Sequence, residues 1–174
     1  MTTNLSIREA TQDDATALAD IYNHYVRETH ITFDLEPVTV ENREVMIEGY
    51  NKNARHRLFV GTDNEQVVGY VSSSQFRTKP AYDLSVETTI YLDQGMTGRG
   101  YGKKLYEHLF RELEATDVHR YYGIIALPNQ ASIELHREFG FVEKGILTEV
   151  GYKFDKYWDT LWMEKSESDE TIDD

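Results

Sequence analysis

A chain of 174 residues and 20.2 kDa, 40% hydrophobic and 12% aromatic, suits one globular domain with a real core rather than a disordered chain. It has no cysteine, which excludes disulfides, thiolate metal sites and a covalent cysteinyl intermediate. A net charge of −13 speaks against nucleic acid and anionic membrane surfaces, whose binding rests on clustered Lys and Arg.

The first residues, Met1-Thr-Thr-Asn, lack the basic and apolar regions of a signal peptide. No apolar run approaches the roughly 20 residues of a membrane span. A cytoplasmic protein is expected. Residues 6–8 read as a short strand. Thr11 then opens a helix, with Asp14 three positions on completing a capping box. Leu18, Ile21, Tyr22, Tyr25 and Val26 follow at helical spacing as its buried face. A loop around Phe33 to Pro37 leads to a second helix over 39–50. Strands are expected over 57–61 and 66–74, joined by Thr62-Asp-Asn-Glu, and another over 86–92 beyond a polar loop, 77–83, that holds Pro80.

The next segment is the most informative in the chain. Thr97, Gly98, Arg99, Gly100, Tyr101, Gly102, Lys103 and Lys104 precede the clearest amphipathic helix, in which Leu105, Leu109 and Leu113 recur every four residues beside Tyr106 and Phe110. A strand over 121–127 follows, so strand, helix and strand should form a parallel, right-handed unit. Pro128 restricts its predecessor to extended backbone, Asn129 is placed to cap another helix, and Gly140 ends that helix. Two last strands, 141–151 and 154–165, read as an antiparallel pair. Residues 1–165 are taken as one domain and 166–174 as an acidic, solvated and disordered tail.

The glycine loop is neither a P-loop, whose Ser/Thr place holds Lys104 and whose spacing is one short, nor a dinucleotide fingerprint, which would need Gly or Ala where Lys103 or Leu105 stands. A plain turn does not require three glycines in five positions beside Arg99 and Lys103. Bare backbone N–H groups at a helix start form an anion cradle, and distant acidic charge is screened beyond about 8 Å.

Thr97 to Gly102 resembles the pyrophosphate-binding motif of the GNAT N-acetyltransferases, Gln/Arg-x-x-Gly-x-Gly/Ala. The resemblance is closer still to the phosphinothricin N-acetyltransferase branch. Segments in family order include Asn23-His-Tyr, Thr32-Phe-Asp-Leu-Glu-Pro37, Val86-Glu-Thr-Thr-Ile-Tyr91, Leu127-Pro-Asn129, Ser132-Ile-Glu-Leu-His136 and Gly151-Tyr-Lys, over nearly the whole chain. It implies an α/β (α+β) GNAT fold: a mixed, mostly antiparallel sheet with one splayed parallel strand pair, flanked by helices. It also implies acetyl-CoA as co-substrate, no metal and a homodimer. The implied acceptor is the α-amine of a small amino acid such as phosphinothricin, methionine sulfone or methionine sulfoximine. A protein N-terminus or a polyamine as acceptor, and a non-catalytic acyl-CoA-binding module, stay open as alternatives.

The resemblance also implies site residues. Glu87, on the strand expected to splay, becomes a general base, although a lone strand carboxylate is ordinarily solvated. His136 falls where many members carry a tyrosine that protonates the departing thiolate, although a helix histidine is ordinarily packed. Ile90, Tyr91 and Leu92, the glycine loop from Thr97 to Lys103, Asn129 and Ser132 are expected around the coenzyme. Tyr106 lies on a helix whose apolar face needs filling, so core packing is as much expected of it as chemistry. Phe33, Arg77, Lys79 and Tyr82 are expected around the acceptor. Two departures stand out. Thr97 replaces Gln or Arg, and Lys79 replaces a common second arginine, exchanging a planar fork for a point charge. His24, His30, His56, His108 and His119 make no metal-ligand spacing.

Overall fold

The computed structural model describes residues 5–167. The chain runs β1 (Leu5–Glu9), α1 (Ala15–Glu28), α2 (Val40–Gly49), β2 (Arg57–Asp63), β3 (Gln66–Gln75), β4 (Ser85–Leu92), α3 (Tyr101–Leu113), β5 (Arg120–Ala126), α4 (Gln130–Glu138), β6 (Val142–Lys153) and β7 (Lys156–Ser166). The seven strands form one sheet in the order β1-β2-β3-β4-β5-β7-β6. Neighbours are antiparallel except β4 and β5, the parallel pair joined through α3. This is the mixed sheet with one parallel pair that the resemblance implies.

The α3 stripe decides how that unit packs. Leu105, Leu109 and Leu113 are fully buried, together with Tyr106. They meet Phe59, Val71 and Val86 of the sheet, and the same cluster continues into Tyr121, Ile125 and Met163. Each such leucine contributes about 1.5–3 kcal/mol of burial. On the opposite face Leu18 and Ile21 of α1 and Ile47 of α2 cover Leu58, Val60 and Tyr70. Alternation along β4 therefore sends Val86 and Thr88 toward α3, and Glu87, Thr89 and Tyr91 toward α1.

Most element boundaries shift by one or two residues from expectation, and two of the shifts have a visible cause. The turn opened by Thr11 is a 3-10 turn, Gln12–Asp14, before α1 proper begins at Ala15. Strand β7 reaches Ser166, one residue past the expected domain end, because its antiparallel partner β5 reaches Arg120, opposite Ser166. Glu167 then accepts a hydrogen bond from the Tyr121 hydroxyl. The rest of the expected tail, 168–174, lies outside the described residues.

The Asp14 carboxylate organises the entry to α1. It accepts two hydrogen bonds from Arg8, at 2.7 and 2.8 Å, and one from the Thr11 N–H at 2.8 Å. Burial pushes its pKa up, but the Arg8 and Thr11 hydrogen bonds and the Arg8 charge outweigh burial and hold it below the ordinary value. A carboxyl lowered in this way contributes stability above its unfolded pKa, about 3.9, and loses it as pH falls through the folded value. Asp14→Asn is expected to cost about 1–3 kcal/mol in urea unfolding at pH 7, the loss expected for a charge-assisted pair with one partner removed. The difference from the parent protein should shrink as pH falls below about 4.

Candidate active site

Strands β4 and β5 pair over only three positions, Ser85 with Arg120, Val86 with Tyr121 and Glu87 with Tyr122. Beyond Glu87, β4 stays bonded to β3 as far as Leu92, while β5 stays bonded to β7 as far as Ala126. The two halves of the sheet part, and a cavity of about 660 Å³ occupies the gap. Its walls include Glu87 to Leu92 of β4, Ile124 to Ala126 of β5, and Asn129, Ser132 and His136 at α4. Thr97, Gly98, Gly100, Gly102 and Lys103 line it below α3, and Tyr25 and Ile31 line it from the α1 side.

Glycine is required in the loop below α3 for conformational reasons. Gly98 and Gly100 have φ of +72° and +79°, where an L side chain is strained, and a Cβ on either would meet nothing within 4 Å. The obstacle to substitution is backbone strain. Gly100 is the N-cap of α3, and its carbonyl accepts from the Lys104 N–H at 3.3 Å. The first amides of α3 are thus turned toward the cavity at the positive end of a 13-residue helix, as an anion cradle requires. The residues present fit a pyrophosphate. Lys103 stands at the edge of this cradle and pairs with Glu138 of α4 at 3.3 Å, both half exposed.

Two residues of this loop do not join the wall. Arg99 is exposed and lies outside the lining. Tyr101 is 1% exposed and sends its hydroxyl to Asp63 at the end of β2, away from the cavity. At the first position of α3, a side chain is drawn to the sheet rather than to the loop.

At the apex of the gap, on the α3 side, five groups form a chain of polar contacts. The Thr88 hydroxyl donates to the Tyr122 carbonyl at 3.3 Å, tying the strands together one residue past their last pairing. Tyr106 Oη lies 3.4 Å from Thr88 Oγ1 and 3.0 Å from His136 Nε2. His136 Nδ1 lies 2.7 Å from the Ser132 carbonyl. A carbonyl can only accept, so Nδ1 carries the proton, Nε2 holds a lone pair, and Tyr106 donates to it. Burial holds His136 below the ordinary histidine pKa, against a smaller raising effect of the Ser132 carbonyl, which keeps the ring neutral. Burial likewise pushes Tyr106 well up, with the Glu87 charge adding to it. The ring of His136 fits because residue 123 is glycine: a Cβ there would lie 2.5 Å from His136 Cδ2 and Nε2.

Glu87 sits on the other side of the same gap. Its carboxyl is raised by burial, and the Arg77 charge only partly opposes this. A carboxylate and a neutral Tyr–His pair thus flank one slot from opposite faces of the sheet. This arrangement can take a proton on one face and supply a hydrogen bond on the other.

The residues expected around the acceptor lie outside this wall. Phe33 packs on β6, where a Cβ at Gly151 would come within 2.3 Å of its ring. Arg77 lies over Phe76 and Trp162, at 5.0 and 5.5 Å from the ring centroids. Tyr82 is 44% exposed with its ring edge toward Phe76, and Lys79 is exposed at the start of the 3-10 turn Pro80–Tyr82. Sequence reasoning missed Tyr25, Ile31 and Thr88 as lining and left Tyr106 open between core packing and chemistry. Tyr25 and Tyr106 were legible only as members of apolar helix faces, and their hydroxyls, on the Leu92 carbonyl at 2.6 Å and on His136, reveal the second use.

Residues 7–162 match the acetyltransferase (GNAT) domain family. A phosphinothricin N-acetyltransferase from Streptomyces coelicolor is 48% identical over 166 residues, 94% of this chain and 97% of that protein. The crystal structure of a ribosomal-protein-alanine N-acetyltransferase from Brucella melitensis is 37% identical, with a TM-score of 0.89 over 92% of this chain and 99% of that one. A GNAT superfamily phosphinothricin acetyltransferase from Sinorhizobium meliloti, in complex with AcCoA, is 27% identical, with a TM-score of 0.88 over 93% of this chain and 88% of that one. Family, glycine cradle and split sheet agree: the chain belongs to the GNAT acetyltransferases.

Proposed function

We propose that this protein moves the acetyl group of acetyl-CoA to the α-amino group of a small amino acid with a tetrahedral, oxygen-rich head, such as phosphinothricin, methionine sulfone or methionine sulfoximine. The observation that carries the reading is the slot itself, with Glu87 on the α1 face, the Tyr106–His136 pair on the α3 face, and the glycine cradle at one end. Acetyl-CoA supplies an acetyl group activated as a thioester. The backbone amides at Gly98 to Lys103 hold its pyrophosphate, and Ile90 to Leu92, Asn129 and Ser132 flank the pantetheine path. N–H groups on the unpaired edge of β4 are free to polarise the thioester carbonyl. Glu87, directly or through water, takes a proton from the amine, a role helped by a carboxyl raised toward neutral pH. On the far face neutral His136 has no N–H to give, since its one ring proton, on Nδ1, is donated to the Ser132 carbonyl. Tyr106 therefore gives the hydrogen bond to the departing sulfur, with His136 as its resting partner.

An acceptor of another kind, a protein N-terminus, is favoured by the likeness to a ribosomal-protein-alanine acetyltransferase. A module that only binds acyl-CoA would have no use for Glu87 or the Tyr106–His136 pair. Single-turnover loss of the acetyl-CoA thioester with a panel of amines separates the three. Turnover with phosphinothricin or methionine sulfone supports the reading, turnover with an alanine-ended peptide alone replaces it, and no turnover with any amine sinks it. Among the cations of the acceptor loop, Arg77 is the one whose charge reaches Glu87, so it, rather than Lys79, is the residue to face an acidic head group. Acetylation removes the amine's positive charge. In the cytoplasm, this would disarm an amino-acid antibiotic or detoxify a metabolite. Loss of tolerance on deleting the gene would separate the two.

Replacing Gly100 with Val is expected to raise the acetyl-CoA KM at least tenfold while leaving acceptor KM near normal, because φ of +79° excludes a β-branched side chain. Steady-state kinetics with each substrate varied in turn decide this. Glu87→Gln should lower kcat by about 10² or more and remove the acidic limb of the pH–rate profile. In the parent protein that limb should lie above the ordinary glutamate value of about 4.3, because the carboxyl must be deprotonated to act and burial raises it. Tyr106→Phe should lower kcat without moving that limb.

The outer strand β6 leaves Ile146, Val150 and Tyr152 about half exposed, as is Phe154 in the turn that follows, and Tyr157 of β7 lies nearby at 59%. We place a homodimer contact there. Sedimentation at micromolar concentration should give twice the chain mass, and a monomer would remove that part of the reading.

A further inference from the structure

Lys153, the last residue of β6, is 3% exposed, an unusual place for an ammonium group. No carboxylate among the described residues forms an ion pair with it. Its Nζ donates to the Thr32 carbonyl at 2.8 Å and reaches the Tyr25 carbonyl at 3.5 Å. The Tyr25 carbonyl belongs to the last turn of α1, the negative end of the helix, and already accepts from the Thr29 hydroxyl at 2.9 Å and the Thr29 N–H at 3.2 Å. The side chain thus acts as a C-terminal cap for α1, supplied from a strand 128 positions away. Burial lowers the Lys153 pKa, and the charge of Asp34 partly opposes this.

The groups it grips bear on the slot. Tyr25 and Ile31 are wall residues on the α1 side, the side of Glu87, and Tyr25 Oη reaches on to the Leu92 carbonyl at the end of β4. Ile31 sits directly before Thr32, whose carbonyl Lys153 holds. Other contacts also pin this stretch, among them His30 Nε2 at 3.0 Å from the Pro128 carbonyl. Tyr22 Oη meets Thr32 Oγ1 at 2.7 Å, and His30 stacks on Trp158 with ring centroids 4.1 Å apart. Lys153 is the one whose removal would leave the end of α1 and the Thr32 carbonyl without their shared donor, in a site closed to water.

We infer that Lys153 is a positioning residue for the acceptor: its ammonium ties the β6–β7 hairpin to the end of α1 and sets Tyr25 and Ile31 against the slot. The inference rests on the acetyl-transfer reading above, because that reading makes the α1 side the acceptor side. The acetyl-CoA cradle, at the start of α3, makes no contact with Lys153. The two substrates should therefore respond differently.

The test compares Lys153→Met, which keeps length and apolar bulk but removes the donor, with Lys153→Arg, which keeps charge and donors. Lys153→Met is expected to raise the acceptor KM about tenfold with the acetyl-CoA KM within about twofold, the signature of lost acceptor binding, and Lys153→Arg to recover much of it. Amide hydrogen exchange over 26–34 should quicken in Lys153→Met while that of α3 stays as in the parent protein. If Lys153→Met does not fold, Lys153→Gln, with an uncharged donor, carries the same comparison. Equal rises in both KM values would mean general loosening and overturn the inference, as would unchanged KM values with unchanged exchange over 26–34. Should the parent protein turn over no amino-acid amine, the functional reading fails, and exchange over 26–34 still decides whether Lys153 holds the loop.

Discussion

The interaction on which this protein depends is one it withholds. Parallel strands β4 and β5 form ladder bonds at three positions and then separate, so the facing edges of both run on without a partner. Buried backbone groups left unpaired cost free energy comparable to a lost hydrogen bond. The fold limits that cost in two ways. The Thr88 hydroxyl takes up the Tyr122 carbonyl at the apex, and Tyr25 takes up the Leu92 carbonyl at the open end. Between these points the edge of β4 is left for a ligand, and an extended ligand can pair with it as a strand would.

The split also separates the two halves of the chemistry. Because side chains alternate along β4, neighbouring residues Glu87 and Thr88 lie on opposite faces of the sheet. Glu87 looks toward the α1 side with a carboxyl raised by burial, while Thr88 looks toward Tyr106 and His136. A group held in the slot is reached from both faces at once, and acid and base never compete for each other's proton. Gly123 makes this possible on the β5 side, since any larger residue would displace the His136 ring.

A net charge of −13 does not conflict with an anionic ligand. The cradle below α3 draws on backbone amides and the end of a helix, whose partial charges act within a turn, while the acidic surface is screened beyond about 8 Å. The Lys103–Glu138 pair, both half exposed, adds little to stability. Its place at the cradle edge bridges α3 and α4 across the mouth of the slot.

Read by itself, the sequence determined the elements and the cradle. The leucine repeat of α3, the capping box at Thr11 and Asp14, the Asn129 cap and the spacing of Gly98, Gly100 and Gly102 are local signals, and each is present where its local chemistry puts it. What the sequence left undecided were properties of pairs far apart in the chain. Tyr106 reads equally as core or as chemistry until His136, 30 residues on, supplies an acceptor for its hydroxyl. His136 reads as a proton donor until the Ser132 carbonyl claims Nδ1, which fixes the tautomer and leaves a lone pair facing the cavity side. Lys153 lies between the two last strands expected from sequence, and nothing local shows that the end of α1 buries it. Arg77 and Lys79 read alike, two cations of one loop, and both are exposed, but the fold lays only Arg77 over the rings of Phe76 and Trp162. Helix periods, caps and glycine angles are set within a few residues, so the sequence states them. Tautomers, buried charges and loop placement depend on which distant groups share a low-dielectric site, and only the tertiary structure decides that.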